Sequence, residues 1–430
     1  MLMSNVENSL KIISWNITRR CNFSCSHCYL PAALRTDQNR EMSPACELST
    51  EKALHLIDQI AEVNREVMLI LSGGEPLLRS DVFDLAEYAS EKGMMVVLGT
   101  NGYYLNAEIA RKLKEKGVSG VSISLDSVNP EIHDWIRLVP GSWERAVKAI
   151  EICKRSDLSV QMNTVVTNSN YNEIPELIQF ARTLGVRVFS PFFLVCTGKG
   201  EELTDISPDQ YEELLSLIVR LQENRKGMMI RTRCAPTFRR ILYQRNPESN
   251  LLKLDAGKCM AGTSYCRITP EGKVTSCPYM QGSAGNVKEE DFHEIWHYSK
   301  EFASLRNPSL QGKCKVCEYQ LICGGCRARA HASHGNIMEE DPWCVHVPEG
   351  SDIITPPVFK SHAEAVFDDG LKPVWTREAE HRVKKIPFFV RSMVKGAVER
   401  FAVNNGCKEI TPDLMMKARK KYGMEKMAGK

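Results

Sequence analysis

Ile12-Ile13-Ser14-Trp15-Asn16-Ile17, followed by Cys21-Asn22-Phe23-Ser24-Cys25-Ser26-His27-Cys28, decides how the rest of the chain is read. The first six residues are an apolar run of strand length. The three cysteines therefore sit on a loop leaving the end of a strand. Thiolates are soft ligands suited to iron–sulfur clusters or zinc. Three of them hold three corners of a cubane and leave the fourth iron open to a ligand. Three thiolates with His27 would instead make a zinc site.

Further strand-like runs lie at 67–72, 94–99, 118–125, 158–166 and 186–195, joining 11–17 in a series of six. They are continuous apolar runs, which predicts parallel strands buried on both faces. Helical patterns lie between them. Ser49 is placed to cap a helix with Leu54, Ile57 and Ala61 on one face, and Asn106 to cap one with Ile109, Ala110 and Leu113. Trp143, Ala146, Val147 and Ile150 mark another. Alternating strand and helix predicts an α/β fold with a parallel sheet, and chemistry in such sheets gathers at the C-terminal strand ends. The marked residues fall there: Ser72-Gly73-Gly74-Glu75-Pro76 after the second strand, Gly99-Thr100-Asn101-Gly102 after the third, Ser122-Ile123-Ser124-Leu125-Asp126 at the fourth. Paired glycines let a backbone approach a ligand closely, and Glu75 offers a carboxylate to an ammonium group.

The C-x3-C-x2-C triplet, with GGEP one strand later, resembles the radical S-adenosylmethionine (radical SAM) superfamily. His27 stands where that family usually has an aromatic residue. The resemblance implies a partial (β/α)6 barrel over 10–225 and a [4Fe-4S] cluster on Cys21, Cys25 and Cys28. The open iron of that cluster binds SAM, which an electron cleaves to a 5′-deoxyadenosyl radical. It further implies that Ser72, Gly73, Gly74 and Glu75 meet the SAM amino group and that Thr100, Asn101 and Ser124 lie close by. Arg137 is the candidate for the SAM carboxylate, Asn163 for the ribose and Val195 for the flank of the adenine.

A second cysteine block reads Cys259-x6-Cys266-x10-Cys277, Cys314-x2-Cys317-x5-Cys323-x2-Cys326, then Cys344. Eight thiols are the number two four-thiolate clusters need. Zinc ribbons use C-x2-C pairs at longer separation, and a redox pair at Cys323/Cys326 leaves six thiols unexplained. The block resembles the SPASM extension of radical SAM maturases, with Gly272 four residues before Cys277. That family's last spacing is usually x3, and here it is x2, through Gly324-Gly325. The resemblance implies a bridge and SPASM domain over 226–347, one auxiliary cluster on Cys259, Cys266, Cys277 and Cys326, and another on Cys314, Cys317, Cys323 and Cys344. Cys46, Cys153, Cys196, Cys234 and Cys407 follow no spacing and read mostly as small buried hydrophobes. In the bridge, Glu212, Leu215, Ile218 and Leu221 predict a helix with a core-facing stripe. Arg231-Thr232-Arg233-Cys234 reads either as a surface turn or as a carboxylate clamp.

Residues 348–370 read as a linker, and 371–430 as a small helical domain with Thr411-Pro412 opening its last helix. Trp375-Thr376, Ile386-Pro387-Phe388-Phe389-Val390-Arg391 and Glu409-Ile410-Thr411 resemble the C-terminal domain of the light-independent protochlorophyllide reductase B subunit. Residues 371–430 carry 15 Lys/Arg against 6 Asp/Glu, and the remainder 41 against 47. This basic segment is either a solvated helix face or a dock for an acidic partner.

Pro191-Phe192-Phe193-Leu194-Val195-Cys196-Thr197-Gly198, Cys234-Ala235-Pro236, Cys323-Gly324-Gly325-Cys326-Arg327-Ala328-Arg329-Ala330 and Glu340-Asp341-Pro342-Trp343-Cys344 resemble the maturases of the siroheme-dependent haem route and of haem d1. The resemblance implies an iron tetrapyrrole substrate whose side chains are decarboxylated or removed. A hydrogen leaves a propionate β-carbon, then carbon dioxide and an electron are lost, leaving a vinyl group. An auxiliary cluster would accept the electron, and Arg231, Arg233, Arg327 and Arg329 would hold the other carboxylates. His331 and His334 are the candidates for an axial ligand, or plain surface histidines. A ferredoxin or flavodoxin would be the electron donor, and no nucleic-acid partner is expected. No apolar run approaches the roughly 20 residues that span a bilayer, and no signal-peptide pattern opens the chain. A cytoplasmic location is expected, where sixteen cysteines argue for metal or redox sites. Two other readings are a SPASM-type maturase of a peptide, protein or metal cofactor, and a non-catalytic iron–sulfur electron carrier. Peptide maturases usually carry a wing before the triplet, whereas twenty residues precede Cys21.

Overall fold

The computed structural model describes residues 10–30, 33–34, 47–195, 206–223, 227–253, 259–280, 282–355, 373–384, 394–395, 398–399, 401–402, 405, 407 and 409–421. The six foreseen strands are β1 (Ile12–Thr18), β2 (Met68–Gly73), β3 (Met95–Thr100), β4 (Gly120–Ser124), β5 (Ser159–Val166) and β6 (Val188–Phe193). They lie side by side in chain order, every neighbour parallel. The crossovers carry α1 (Thr50–Val63), α2 (Val82–Glu91), α3 (Ala107–Glu115), α4 (Pro130–Arg137), α5 (Ser142–Arg155) and α6 (Ile174–Thr183), and α7 (Pro208–Glu223) follows β6. This is the partial (β/α)6 barrel. Ser49 accepts from the Lys52 amide and Asn106 from the Ile109 amide, as their capping positions predict. The buried face of α1 is Ala53, Leu56, Ile57, Ile60 and Ala61, with Leu54 only half-buried. In α7, Tyr211, Leu214, Leu215, Ile218 and Val219 are buried, and Glu212 lies off that stripe.

The strands are not covered on both faces. Along β5, Val160, Met162, Thr164 and Val166 are buried, while Gln161, Asn163 and Val165 are half-exposed. The same alternation puts Leu69 and Leu71, Val96 and Leu98, Val121 and Ile123 under the helices. Ser14, Ser72, Ser124 and Asn163 face the other way. A one-residue pleat sends successive side chains to opposite faces, so the apolar runs hide a polar lumen.

The sheet does not stop at six strands. β7 (Met229–Ile230) pairs parallel with β6, and β8 (Tyr265–Ile268) pairs parallel with β1, Ile12 opposite Tyr265. β9 (Lys273–Thr275) and β10 (Gly285–Asn286) continue antiparallel from β8. The cysteine-rich domain is thus built onto the barrel's first strand as one ten-stranded sheet. It also holds α8 (Thr237–Arg245), α9 (Phe292–Tyr298), α10 (Lys300–Arg306), α11 (Gly312–Val316) and α12 (Arg327–His334). Gly272 turns the β8–β9 hairpin at φ +90°, donating its amide to the Thr269 carbonyl.

The chain divides into two compact units, Met1–Leu252 with Ala256–Pro356, and Lys253–Asp255 with Pro357–Lys430. The start of the expected linker belongs to the first, since the Ile354 amide donates to the Glu318 carbonyl at 2.8 Å. In the second unit, strands Val374–Trp375 and Glu409–Ile410 pair in parallel, and helices Arg377–Lys384 and Pro412–Lys421 flank them. Ala379, Val398, Phe401, Ala402, Ile410 and Ala418 form its core. Thr411 caps the last helix through the Leu414 amide. Residues 386–391 lie outside the described residues. No helix among the described residues is long and apolar enough to cross a membrane.

Candidate active site

The cysteine loop is held by the segments that follow β2 and β3 and by α4. Gly74 donates its amide to Thr18 O and Glu75 to Arg20 O, both at 2.8 Å. A Cβ on Gly73 would lie 2.5 Å from Thr18 O, and one on Gly74 2.3 Å from Arg20 O. The paired glycines are therefore needed first for packing against the chain's own backbone at the root of the loop. Asn101 Nδ2 donates to Asn22 Oδ1 at 2.9 Å, Ser26 N to Ile136 O at 3.0 Å, and Arg79 Nη1 to Ile17 O at 2.8 Å. Asn22 and Arg79 carry no motif of their own, and the sequence reading missed them.

Glu75 is fully buried. Its carboxylate accepts from Thr100 Oγ1 at 2.8 Å and from the amides of Asn101 at 2.9 Å and Leu77 at 3.2 Å. Burial raises its pKa from 4.5 to about 7 in spite of those donors. Its charge also reaches Cys21, whose thiol burial pushes up to about 12. A cation arriving here meets a carboxylate that water does not solvate.

On the other side of the loop Arg137, buried, donates through Nε and Nη2 to Asp126 Oδ2, each at 2.7 Å. Its Nη1 reaches Cys25 Sγ at 3.8 Å. Burial opposes ionisation of Asp126, but Arg137, His27 and His133 hold its carboxyl below the ordinary range. His27 Nε2 stands 3.8 Å from the same carboxylate, and burial lowers this ring to about pH 4. His27 is thus turned toward Asp126. Among the described residues, it and the three thiols do not close to single-ion distances. The donor set, three thiols on one short loop with a buried cation beside them, fits an iron–sulfur cluster with one open corner.

Ser124 stands opposite Asn163 in the β4–β5 register, and Asn163 Nδ2 donates to Ser122 Oγ at 2.6 Å. Ser72 faces the same lumen, opposite Asn16. Register continues the lumen face to Ser190 and Phe192 on β6. It extends to Arg231 and Arg233, since Phe192 bridges Arg233. Val195 does not join this face. The chain leaves the sheet after Phe193, and Val195, 1% exposed, packs with Ala261, Met280, Cys326 and Ala328.

The second cysteine block forms two groups. Cys314, Cys317, Cys323 and Cys344 line one recess with Arg240 and Lys313. Burial raises the Cys317 thiol to about 11, and the charges of Cys344 and Cys314 add to it. His346 Nε2 lies 2.8 Å from Glu318 Oε1 beside that group. In the other group Cys259, Cys277 and Cys234 pack against the apolar cluster that contains Cys326. Cys266 does not. It lies in β8 opposite Ile13, wholly buried, and the neighbouring charge its thiol feels is Arg306. Gly324 and Gly325 adopt φ +66° and +70°, a double left-handed turn that sends Cys323 to one group and Cys326 to the other. Cys153 is a buried core thiol of α5, as expected, and Cys407 is half-buried. Cys46 and Cys196 lie outside the described residues.

Arg327 and Arg329, both expected to hold carboxylates, are engaged by the protein itself. Arg329 pairs with Asp341 at 3.0 Å, donates to Cys234 O and stacks over Trp343. Arg327 donates to the carbonyls of Ile337 at 2.8 Å and Glu339 at 2.9 Å. Their place in a helix that closes the cysteine domain buries them, so they brace loops. Arg233 has no ion-pair partner among the described residues, and burial lowers its pKa beside Tyr265 and Cys234. His334 is exposed, while His331 is half-buried with an unpartnered Nδ1.

Residues 15–181 match the model of the radical SAM superfamily, 259–318 that of the SPASM iron–sulfur cluster-binding domain, and 375–419 that of the proto-chlorophyllide reductase 57 kD subunit. The AdoMet-dependent heme synthase of Methanosarcina barkeri is 39% identical over 355 residues, 80% of this chain and 99% of that protein. The Fe-coproporphyrin III synthase of the same organism is 32% identical over 357 residues, 77% and 87% of the two chains. In fold, the chain is similar to SuiB of Streptococcus suis bound to S-adenosylmethionine, with a TM-score of 0.58 at 19% identity over 79% of this chain and 78% of that one. It is likewise similar to anSMEcpe with bound AdoMet, at 0.61 and 18% over 78% and 90%.

Proposed function

The chain belongs to the radical SAM superfamily, among the SPASM-bearing enzymes that include the AdoMet-dependent heme synthases, and on that footing we propose that it oxidatively decarboxylates propionate side chains of an iron tetrapyrrole. The observation that carries this is Arg233, at a lumen-face register position and one residue before the Cys234 thiol. Guanidinium forks bind carboxylates bidentately, and a tetrapyrrole offers several. The names and near-complete overlap of the curated relatives support the same substrate class.

With their clusters and SAM bound, such sites supply a 5′-deoxyadenosyl radical at one end and a one-electron acceptor at the other. The residues of this chain do the positioning. Cys21, Cys25 and Cys28 hold the first cluster. Glu75, fixed by Thr100 and Asn101, meets the SAM ammonium, with Ser72, Gly73 and Gly74 beside it. Ser124 and Asn163 offer a hydroxyl and an amide to the sugar. Arg137, held by Asp126, presents its outer edge to the SAM carboxylate and to the Cys25 thiolate. Arg233 anchors one propionate while its neighbour reacts. Cys314, Cys317, Cys323 and Cys344 hold one auxiliary cluster and the Cys259 group a second. A ferredoxin or flavodoxin supplies electrons from outside.

The test is anaerobic. The reconstituted protein receives reductant, SAM and iron-coproporphyrin III, and pigment and 5′-deoxyadenosine are followed by mass spectrometry. Stepwise loss of carbon dioxide plus two hydrogens, matched by deoxyadenosine, is expected. Deoxyadenosine with unchanged porphyrin would reject this substrate. Arg233→Ala should keep deoxyadenosine formation but raise the KM for the porphyrin at least tenfold, as loss of a charge-assisted pair costs about 1.5–3 kcal/mol.

A further inference from the structure

We propose that Cys234, not Cys266, is the fourth thiolate of the auxiliary cluster held by Cys259, Cys277 and Cys326. The inference rests on the reading of these thiols as a cluster site. Four observations carry it.

The first is packing. Cys234, Cys259 and Cys277, each half-buried, pack against the one apolar cluster that contains Cys326, and Cys266 is absent from it. The same set appears in the electrostatics: the charges felt by Cys277 are those of Cys234, Cys326 and Cys259.

The second is strand parity. In β8, Arg267 Nε donates to Asn16 Oδ1 at 2.6 Å, and Tyr265 lies near Ser14 and Cys277. Those residues mark the lumen side of the sheet. Cys266 stands between them in sequence and points to the opposite face, opposite Ile13. Bringing its sulfur round would require a one-residue slip of the whole strand.

The third is backbone conformation. Cys234 has φ +56°, one of three non-glycine residues with positive φ among the described residues. A residue with a Cβ enters that region only under strain, and such strain collects where a ligand must be aimed.

The fourth is the brace. Cys234 O accepts from Arg329 Nη2 at 2.9 Å, Arg329 Nη1 pairs with Asp341 at 3.0 Å, and Asp341 Oδ2 accepts the Cys326 amide at 2.8 Å. One fully buried ion pair therefore sets the distance between two thiols that are 92 residues apart in the chain. Outer partners that orient metal ligands have this form. The arrangement also puts the carboxylate-holding Arg233 one peptide from a cluster ligand.

The experiment uses the full chain carrying C21A, C25A and C28A, so that iron reports only the auxiliary sites. In this background Cys259→Ala should lower iron and sulfide by about four each. Cys234→Ala should lower them equally and remove the same EPR signal of the reduced protein, while Cys266→Ala changes neither. Circular dichroism and melting identify any variant that fails to fold, and Cys234→Ser is then read in its place. A folded Cys234 variant with parent-level iron and an unchanged EPR spectrum overturns the assignment, as does loss of the cluster in a folded Cys266→Ala protein. If Cys259→Ala itself loses no iron, the reading of this group as a cluster site fails instead.

Discussion

At Gly74 one methyl group decides whether the cysteine loop can seat. A Cβ there would sit 2.3 Å from the Arg20 carbonyl oxygen, which is backbone and cannot rotate away. Gly74→Ala should displace the loop, cost the cluster on Cys21, Cys25 and Cys28, and leave the auxiliary iron in place, read by iron analysis and EPR. Glu75 makes a second expectation. Burial raises its carboxyl to about 7, whereas an amino group donating to it stabilises the charged form. SAM binding must then expel a proton when the solution is below pH 7. Apparent affinity should be flat above pH 7 and fall by up to about tenfold per unit below it. Calorimetry in two buffers of different ionisation enthalpy would detect the released proton, and Glu75→Gln should abolish the slope. The motif residues at this scale were readable because their chemistry is local. Two of their supports, Asn22 and Arg79, make their contacts only in the folded chain and gave no signal on their own.

At the scale of elements, the six parallel strands and their capped helices follow from short-range pattern. Which face of each strand is wet does not. Gln161, Asn163 and Val165 alternate with buried neighbours, but the run still reads as apolar because its partners are Val and Met. The loop carrying Cys326 depends on the Arg329–Asp341 pair, both side chains at most 5% exposed. Removing one partner of a buried pair costs on the order of 3–5 kcal/mol. Arg329→Met should therefore lower the melting temperature and weaken iron retention in the Cys259 group, with the Cys314 group spared. Comparing auxiliary EPR signals before and after mild chelation tests that difference, and equal loss from both groups would count against it.

For the whole molecule, the second unit has its own core and its own strand pair. A curated relative is matched over 99% of its length by 80% of this chain. A chain ending after residue 355 is thus expected to keep its clusters and SAM cleavage, as measured by iron content and 5′-deoxyadenosine. Loss of either would show that the basic C-terminal unit is required for the reaction.

The sequence by itself determined the barrel, the cysteine triplet after its first strand and the existence of a second thiol-rich domain, because each is written in spacings of a few residues. The tertiary structure alone decided the grouping of those thiols. Spacing puts Cys266 inside the cysteine block and leaves Cys234 outside it, yet strand parity turns Cys266 away from the group while a strained turn brings Cys234 to it. Only the structure sets Arg231 and Arg233 at lumen-face register positions and binds Arg327 and Arg329 to carbonyls and Asp341. Side-chain direction and ion pairing depend on which segments meet, and those meetings join residues that are tens to hundreds of positions apart.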